Sequence, residues 1–230
     1  FSGRQTPPAE PAREAWVAVG RRGGKTSIAA LIATYLAIFR DYTPYLAPGE
    51  IATIPIIAAD RAAARHCMRY IKGFIEDVPG LQGLVKRNLA TSVEFKNRVL
   101  IEIHTSSFRT IRGYTVATAI CDEIAFWYTD ERAVNRDKEI IRALRPSMLT
   151  IPGAMLIALS SPHADQGILF ENYERHFGRD GDPVLVWKAP TWEMNPTVDR
   201  RGIEKAYADD AAAAAAEFGA EFRRDLADLV

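Results

Sequence analysis

The stretch from Trp16 to Thr26, WVAVGRRGGKT, constrains this chain more than any other. An apolar run enters a turn made of glycines and arginines. The Lys-Thr pair that closes the turn opens KTSIAALIATYLAIFR (25–40), where apolar residues recur at helical spacing among good helix formers. Buried strand, glycine turn, Lys-Thr and helix together are the setting of a phosphate-holding loop. Glycine lets successive backbone N–H groups converge on phosphate oxygens. Lys25 is placed to reach the β- and γ-phosphates of a nucleotide, and the Thr26 hydroxyl to meet Mg2+. The helix that follows points its positive end at the same anion. Gly20, Arg21, Arg22, Gly23, Gly24, Lys25 and Thr26 are therefore the candidate nucleotide-binding residues. The common form of this loop has four residues between its first glycine and the Gly-Lys pair. Here Gly20 is followed by three before Gly24, and Val19 holds the strict first position. The loop is a variant, and the competing reading is a glycine turn that only starts a helix.

The rest of the chain supplies a sheet for such a loop. Strands are expected at AWVAV (15–19), IATIPIIAA (51–59), VLIEIHT (99–105), TVATAICDEIAFW (115–127), AMLIALSSP (154–162) and VLVWKAP (184–190). Pro55 marks the second of these as irregular or as an edge. Helices are expected at 60–78, opened by an Asp60 cap, at 130–144 with Pro146 after it, and at 166–177. The alanine-rich tail from Arg201 to Leu229 also reads as helix. Strands alternating with helices predict an α/β fold with a mostly parallel sheet covered on both faces. A hydrophobic content of 48% over 230 residues is enough for a large core. The 29 basic and 29 acidic residues cancel, so any nucleic-acid surface must be a local patch. Cys67 and Cys121 read as buried thiols in a reducing compartment. No apolar run is long enough to cross a bilayer, and the opening Phe1 suggests a start inside a longer protein.

Two further segments carry chemistry. TAICDEIAF (118–126) is an apolar strand that ends in two adjacent carboxylates, which are costly in a core unless they have work or partners. Asp122 suits a Mg2+ ligand, with Thr26, and Glu123 suits the group that polarises an attacking water. A lone Asp-Glu pair is otherwise a solvated loop or a helix cap. LIALSSPH (156–163) is a strand ending in hydroxyls. Ser160 and Ser161 are placed to sense a γ-phosphate, or form an ordinary turn before Pro162.

VGRRGGKT, AICDEIAFW and ALSSPH, in this order, resemble the Walker A, Walker B and coupling motifs of the large terminase subunit. Its ATPase domain is the motor that packages DNA into tailed-phage capsids, and the likeness covers nearly the whole chain. It implies a P-loop NTPase fold of the RecA-like (ASCE) class, hydrolysis of ATP with Mg2+, and translocation of double-stranded DNA. The implied partners are other subunits in a ring, the small terminase subunit and the portal protein, with no membrane, in the host cell cytoplasm. The family places an arginine four residues before the loop lysine. That position is Arg21, which takes the role of a cis arginine on the phosphates or of a switch tied to nucleotide state. Arg22 has no such counterpart and reads as a solvated loop residue. The resemblance gives Arg112, with Arg109 as competitor, the role of acting on a neighbour's nucleotide. The alternative for either is a surface ion pair. Gln5 is the one residue upstream of the loop that could serve as the family's adenine-side glutamine.

Residues 1–190 are thus expected to be the ATPase core, and 191–230 a helical lid or linker leading to a nuclease domain that this chain lacks. Asp209, Asp210, Asp225 and Asp228 read as a solvated helix face rather than a nuclease centre. Basic residues recur on one helix at Arg61, Arg65, Arg69 and Lys72 and on another at Arg132, Arg136, Lys138, Arg142 and Arg145. Both sets suit phosphate contact or a solvated face. His66, His104, His163 and His176 form no spaced set. Two rivals stand beside the packaging motor. A helicase-like translocase needs a second motor domain, for which 230 residues leave no room. A nucleotide-binding scaffold that does not turn over has no use for Glu123.

Overall fold

The computed structural model of the chain describes residues 1–105, 113–127 and 136–223. In chain order its elements are β1 (Glu14–Val19), α1 (Lys25–Phe39), β2 (Ala52–Ala58), α2 (Arg61–Asp77), β3 (Val85–Leu89), β4 (Ser92–Phe95), β5 (Val99–Thr105), β6 (Thr115–Val116), β7 (Thr118–Asp122), α3 (Arg136–Ser147), β8 (Met155–Ser160), α4 (Gly167–His176), β9 (Val184–Ala189), α5 (Thr191–Met194), α6 (Arg200–Asp209) and α7 (Ala211–Glu217). They group into two units. One draws on residues 1–25, 123–137 and 158–230, the other on 26–122 and 138–157.

In the first unit, β1 runs parallel to β9 in unbroken register from Glu14↔Val184 to Val19↔Ala189. The strand forms because EAWVAV buries Trp16, Ala18 and Val19 completely. Ile168 and Leu169 of α4 add to the same unit's core. The buried Asp137 carboxylate accepts the Ile168 N–H at 2.8 Å, which satisfies an otherwise orphaned donor in the first turn of α4. The tail is two short helices rather than one. Asp210 takes an extended conformation and accepts the Ala213 N–H at 2.9 Å, capping α7 and breaking the run from α6.

In the second unit the strands follow the order β3-β4-β5-β2-β7, and β6 pairs with β2. The β5, β2 and β7 pairings are parallel, while β3 and β4 form an antiparallel hairpin at the β5 edge. That hairpin was absent from the sequence expectation. β2 is neither an edge nor irregular, which corrects the reading of Pro55. The strand is buried along its length, with β5 on one side and β6 and β7 on the other. Its ladder toward β6 and β7 stops after Thr53 and resumes at Ile56, so Pro55, which has no N–H to give, falls in the gap. Asp60 caps α2 through the Ala62 and Ala63 N–H groups, and Cys67, Met68, Ile71 and Ile75 form the buried face of that helix. α3 does not stop before Pro146 but includes it in its last turn, at the cost of the one i→i−4 bond its N–H would have made. Met148 and Leu149 then close tight turns onto the Arg145 and Pro146 carbonyls. The strand that carries the adjacent acids ends at Asp122, and Ile124–Phe126 is a single 3-10 turn.

Candidate functional site

In the first unit, the loop after β1 is shaped by close approach as much as by glycine freedom. A Cβ on Gly20 would run into the Thr191 hydroxyl and the Phe218 carbonyl, so only glycine fits there. The Gly20 N–H donates to Ala189 O at 3.2 Å, tying the turn to the end of β9. Gly24 has φ +82° and Arg22 φ +67°, both in the left-handed region. For Arg22, which carries a Cβ, that conformation is strained. Thr191 Oγ1 donates to Arg21 O at 2.8 Å and Asn195 Nδ2 to Arg22 O at 2.9 Å. In a planar trans peptide the next N–H points opposite the carbonyl, so the Arg22 N–H is turned away from Thr191.

The loop ends in Lys25, whose side chain is only 6% exposed. Its ammonium lies 3.0 Å from Glu123 Oε1 and donates to Ser161 Oγ at 3.0 Å. The other oxygen of Glu123 accepts the Ser160 hydroxyl at 3.0 Å and the Ser161 N–H at 3.2 Å. Three segments far apart in sequence thus converge on one carboxylate. Glu123 itself has φ +52°, a left-handed conformation that costs of order 1–3 kcal/mol for a residue with a side chain. That strain aims its carboxylate at Lys25 instead of continuing the strand. Two of the three ammonium donors are spent on Glu123 and Ser161, leaving one for a further acceptor.

In the second unit, Thr26 Oγ1 lies 3.3 Å and 3.5 Å from the two oxygens of Asp122. Asp122 is 3% exposed at the end of β7. A hydroxyl and a carboxylate are the oxygen donors that Mg2+ takes, alongside water and substrate phosphate. Among the described residues no cluster of three or more His, Cys, Asp or Glu could hold a metal by protein ligands alone. Cys67 and Cys121 are both buried, and burial together with the Asp122 charge pushes both thiols well above the usual range. They are inert hydrophobes.

The arginines are placed differently from the lysine. Arg21 is 65% exposed and pairs with Glu217 at 3.1 Å, while its N–H donates to Glu217 O at 2.5 Å. Arg22 is exposed. Arg112 and Arg109 lie outside the described residues, as do Arg132, Asp225 and Asp228. Gln5 is exposed, and its N–H bonds to Asp180 at 2.9 Å. Among the described contacts none joins Gln5 to the loop. Thr191, Asn195 and Glu217, which hold the back of the loop, carry no sequence signal that separates them from other polar residues.

A protein-family model described as "Uncharacterized protein MJ0330, N-terminal P-loop domain" matches residues 5–220. No curated protein matches the chain. Among solved structures, the Thermus phage P74-26 large terminase ATPase domain is similar at 17% identity and a TM-score of 0.65, covering 93% of this chain and 90% of that one. The HK97 bacteriophage large terminase is similar at 17% identity and a TM-score of 0.65, over 92% of this chain and 47% of that one. The large terminase of a thermophilic bacteriophage, solved in complex with ADP, gives 15% identity, a TM-score of 0.64 and coverages of 97% and 51%. This chain therefore spans about half the length of the latter two. The fold is that of the RecA-like P-loop NTPases, a mostly parallel sheet flanked by helices. No helix among the described residues is long and apolar enough to cross a membrane.

Proposed function

The chain belongs to this family of P-loop domains, and from that premise we propose that it hydrolyses ATP to drive double-stranded DNA into a viral procapsid. The observation that carries the reading is the buried Lys25 ammonium, held at 3.0 Å from Glu123 and from Ser161 at the end of a glycine loop. A buried cation with a donor to spare is suited to a phosphate oxygen, and it stands beside the carboxylate that would take a proton from water. In-line attack on the γ-phosphate needs little covalent help from a protein, so positioning and charge account for the catalysis. Lys25 binds and neutralises the phosphates. Glu123 orients and polarises the water. Ser160 and Ser161, which both hold Glu123, link the state of that carboxylate to β8. Thr26 and Asp122 would hold Mg2+, which when bound neutralises charge on the β- and γ-phosphates.

Packaging, rather than another use of ATP, is supported by the fold likeness to phage large terminases over nine-tenths of the chain. The reading includes assembly into a ring, contact with a small terminase subunit and a portal protein, and residence in the host cell cytoplasm. Residues 1–190 would be the motor core and 191–230 a lid or linker. Arg21 would act in cis on the phosphates after leaving Glu217, and Arg112 in trans on a neighbour. Phosphate release by the purified chain, with and without duplex DNA, tests the proposal. Lys25→Ala should abolish nucleotide binding or turnover, and parent-level activity in that variant would end the P-loop reading.

A further inference from the structure

α2 carries its cations where a helix ordinarily avoids them. Arg61, Arg65, Arg69 and Lys72 follow one another at spacings of four, four and three. At 3.6 residues per turn they fall within an arc of about 80°. The segment from Arg61 to Ile75 contains no acidic residue, and Glu76 and Asp77 stand only at its C-terminal end. This order opposes the helix macrodipole, which favours anions at the N-terminus and cations at the C-terminus. Asp60 is taken up by capping. Arg61 and Arg65 are exposed and have no acidic partner among the described residues.

Two of the four charged heads are held rather than trailing in solvent. Lys72 Nζ donates to Leu89 O at 2.5 Å, fixing it against the turn after β3. The Arg69 guanidinium bonds the His66 ring at 3.0 Å. Between α2 and that turn lies a groove of about 410 Å³, lined by Arg65, His66, Arg69, Lys72 and Ala90 among others. The stripe exposes no large apolar side chain. Met68 is 2% exposed, and Tyr70, at 47%, lies about 100° or more around the helix from Arg61, Arg65 and Arg69. Leu89, whose carbonyl takes the Lys72 ammonium, is 50% exposed beside the groove, so what the face chiefly offers a partner is charge rather than a broad apolar surface.

We infer that this face of α2 holds the phosphodiester backbone of double-stranded DNA. The inference rests on the motor reading above and assigns a surface which that reading leaves open. Charge complementarity selects the occupant. The three arginines span about 12 Å at 1.5 Å per residue, a length over which a duplex presents roughly seven charges.

The test is binding of a short DNA duplex to the full chain, followed by fluorescence anisotropy between about 50 and 200 mM salt. Each lost phosphate contact changes the slope of log K against log salt by about 0.9. The double variant Arg65→Gln/Arg69→Gln should therefore bind roughly 60-fold more weakly near 0.1 M salt, with a slope shallower by about 1.8. Arg65→Glu/Arg69→Glu, which adds repulsion to the same two lost contacts, should fall at least as far. Both should melt at the parent temperature and keep the parent rate of ATP hydrolysis without DNA. Arg201→Glu/Lys205→Glu, on exposed α6, should lose far less affinity. Equal losses at the two helices, no loss at α2, or no duplex binding by the parent would each overturn the assignment. So would binding of polyglutamate in place of duplex, which would make the face a site for an acidic protein. ATP turnover in the same samples separates the two ideas. Turnover with α2-independent DNA binding removes the surface and keeps the motor, while α2-dependent binding without turnover does the reverse.

Discussion

Replacing Glu123 by glutamine perturbs one atom of the site and has two consequences whose sizes differ. Breaking a fully buried ion pair by removing one partner costs about 3–5 kcal/mol. Lys25 is 6% exposed, but Glu123 is 33% exposed, so water screens part of the interaction. The glutamine carbonyl still accepts from Lys25, and Ser161 Oγ remains at 3.0 Å, while the amide NH2 replaces the oxygen that accepted from the Ser160 hydroxyl and the Ser161 N–H. The expected loss of stability is about 1–2 kcal/mol, which for a chain of this size lowers Tm by about 2–8 °C. The chemical consequence is larger. A carboxylate that takes a proton in the transition state contributes about 10²–10⁴ in rate, and an amide of the same shape does not replace it. Glu123→Gln should therefore keep ATP affinity near the parent value while kcat falls by about 10²–10⁴. Thermal melting, equilibrium binding of a fluorescent ATP analogue and single-turnover phosphate release measure the three quantities separately. The division of labour is refuted if turnover persists at the parent rate, or if affinity falls as far as kcat does. In the second case Glu123 would only be holding Lys25 in place.

Other outcomes follow from particular residues. Arg22→Gly should raise Tm by about 2–4 °C, because relief of a left-handed conformation worth about 1–2 kcal/mol in a residue with a Cβ is only partly offset by about 0.5–1 kcal/mol of extra glycine chain entropy. Unchanged ATP hydrolysis in that variant is the companion expectation, since the part of Arg22 that belongs to the phosphate loop is its backbone N–H, which glycine keeps, and its side chain is exposed. The imidazoles of His104 and His163 are both held below the usual histidine value. Burial lowers His104 against the pull of Glu102, and burial with the Arg223 charge lowers His163. Folding thus favours the neutral rings, so the stability they contribute is present above about pH 6.5 and is lost as pH falls through the depressed folded values. Urea midpoints declining from neutral pH toward about pH 5 would agree, and a midpoint that rises over this range would not.

The sequence made the convergent core of the site readable because each part announces itself locally. WVAVGRRGGKT changes from strand to turn to helix within eleven residues, and AICDE and ALSS are apolar runs that stop at polar groups. What stayed illegible depends on long-range placement. In the β3–β4 hairpin, VKRNL is exposed and charged without alternation, and SVEF alternates over four residues only, so its pairing with β5 is what makes it a sheet. Pro55 was misread because the gap in the ladder beside it is set by where β6 gives way to β7. Pro146 and Asp210 show the converse, since a helix can include a late proline and an alanine-rich tail can break at an aspartate that prefers to cap. The left-handed backbone of Glu123 had no sequence cue at all.

The clasp behind the loop has a consequence for when this protein can come into being. Arg21 N–H rests on Glu217 O, Thr191 N–H on Phe218 O and Gly20 N–H on Ala189 O, and β1 has its partner in β9. A nascent chain emerges from its N-terminus, so the loop is made well before the segments that hold it, which lie 170 to 196 residues further along the chain. The pair that fixes Arg21 closes a separation of 196 residues, late contacts that carry the full entropy of loop closure. Until translation passes the alanine block, the chain can hold a stretch of sequence that names a phosphate site but not the shape that makes one.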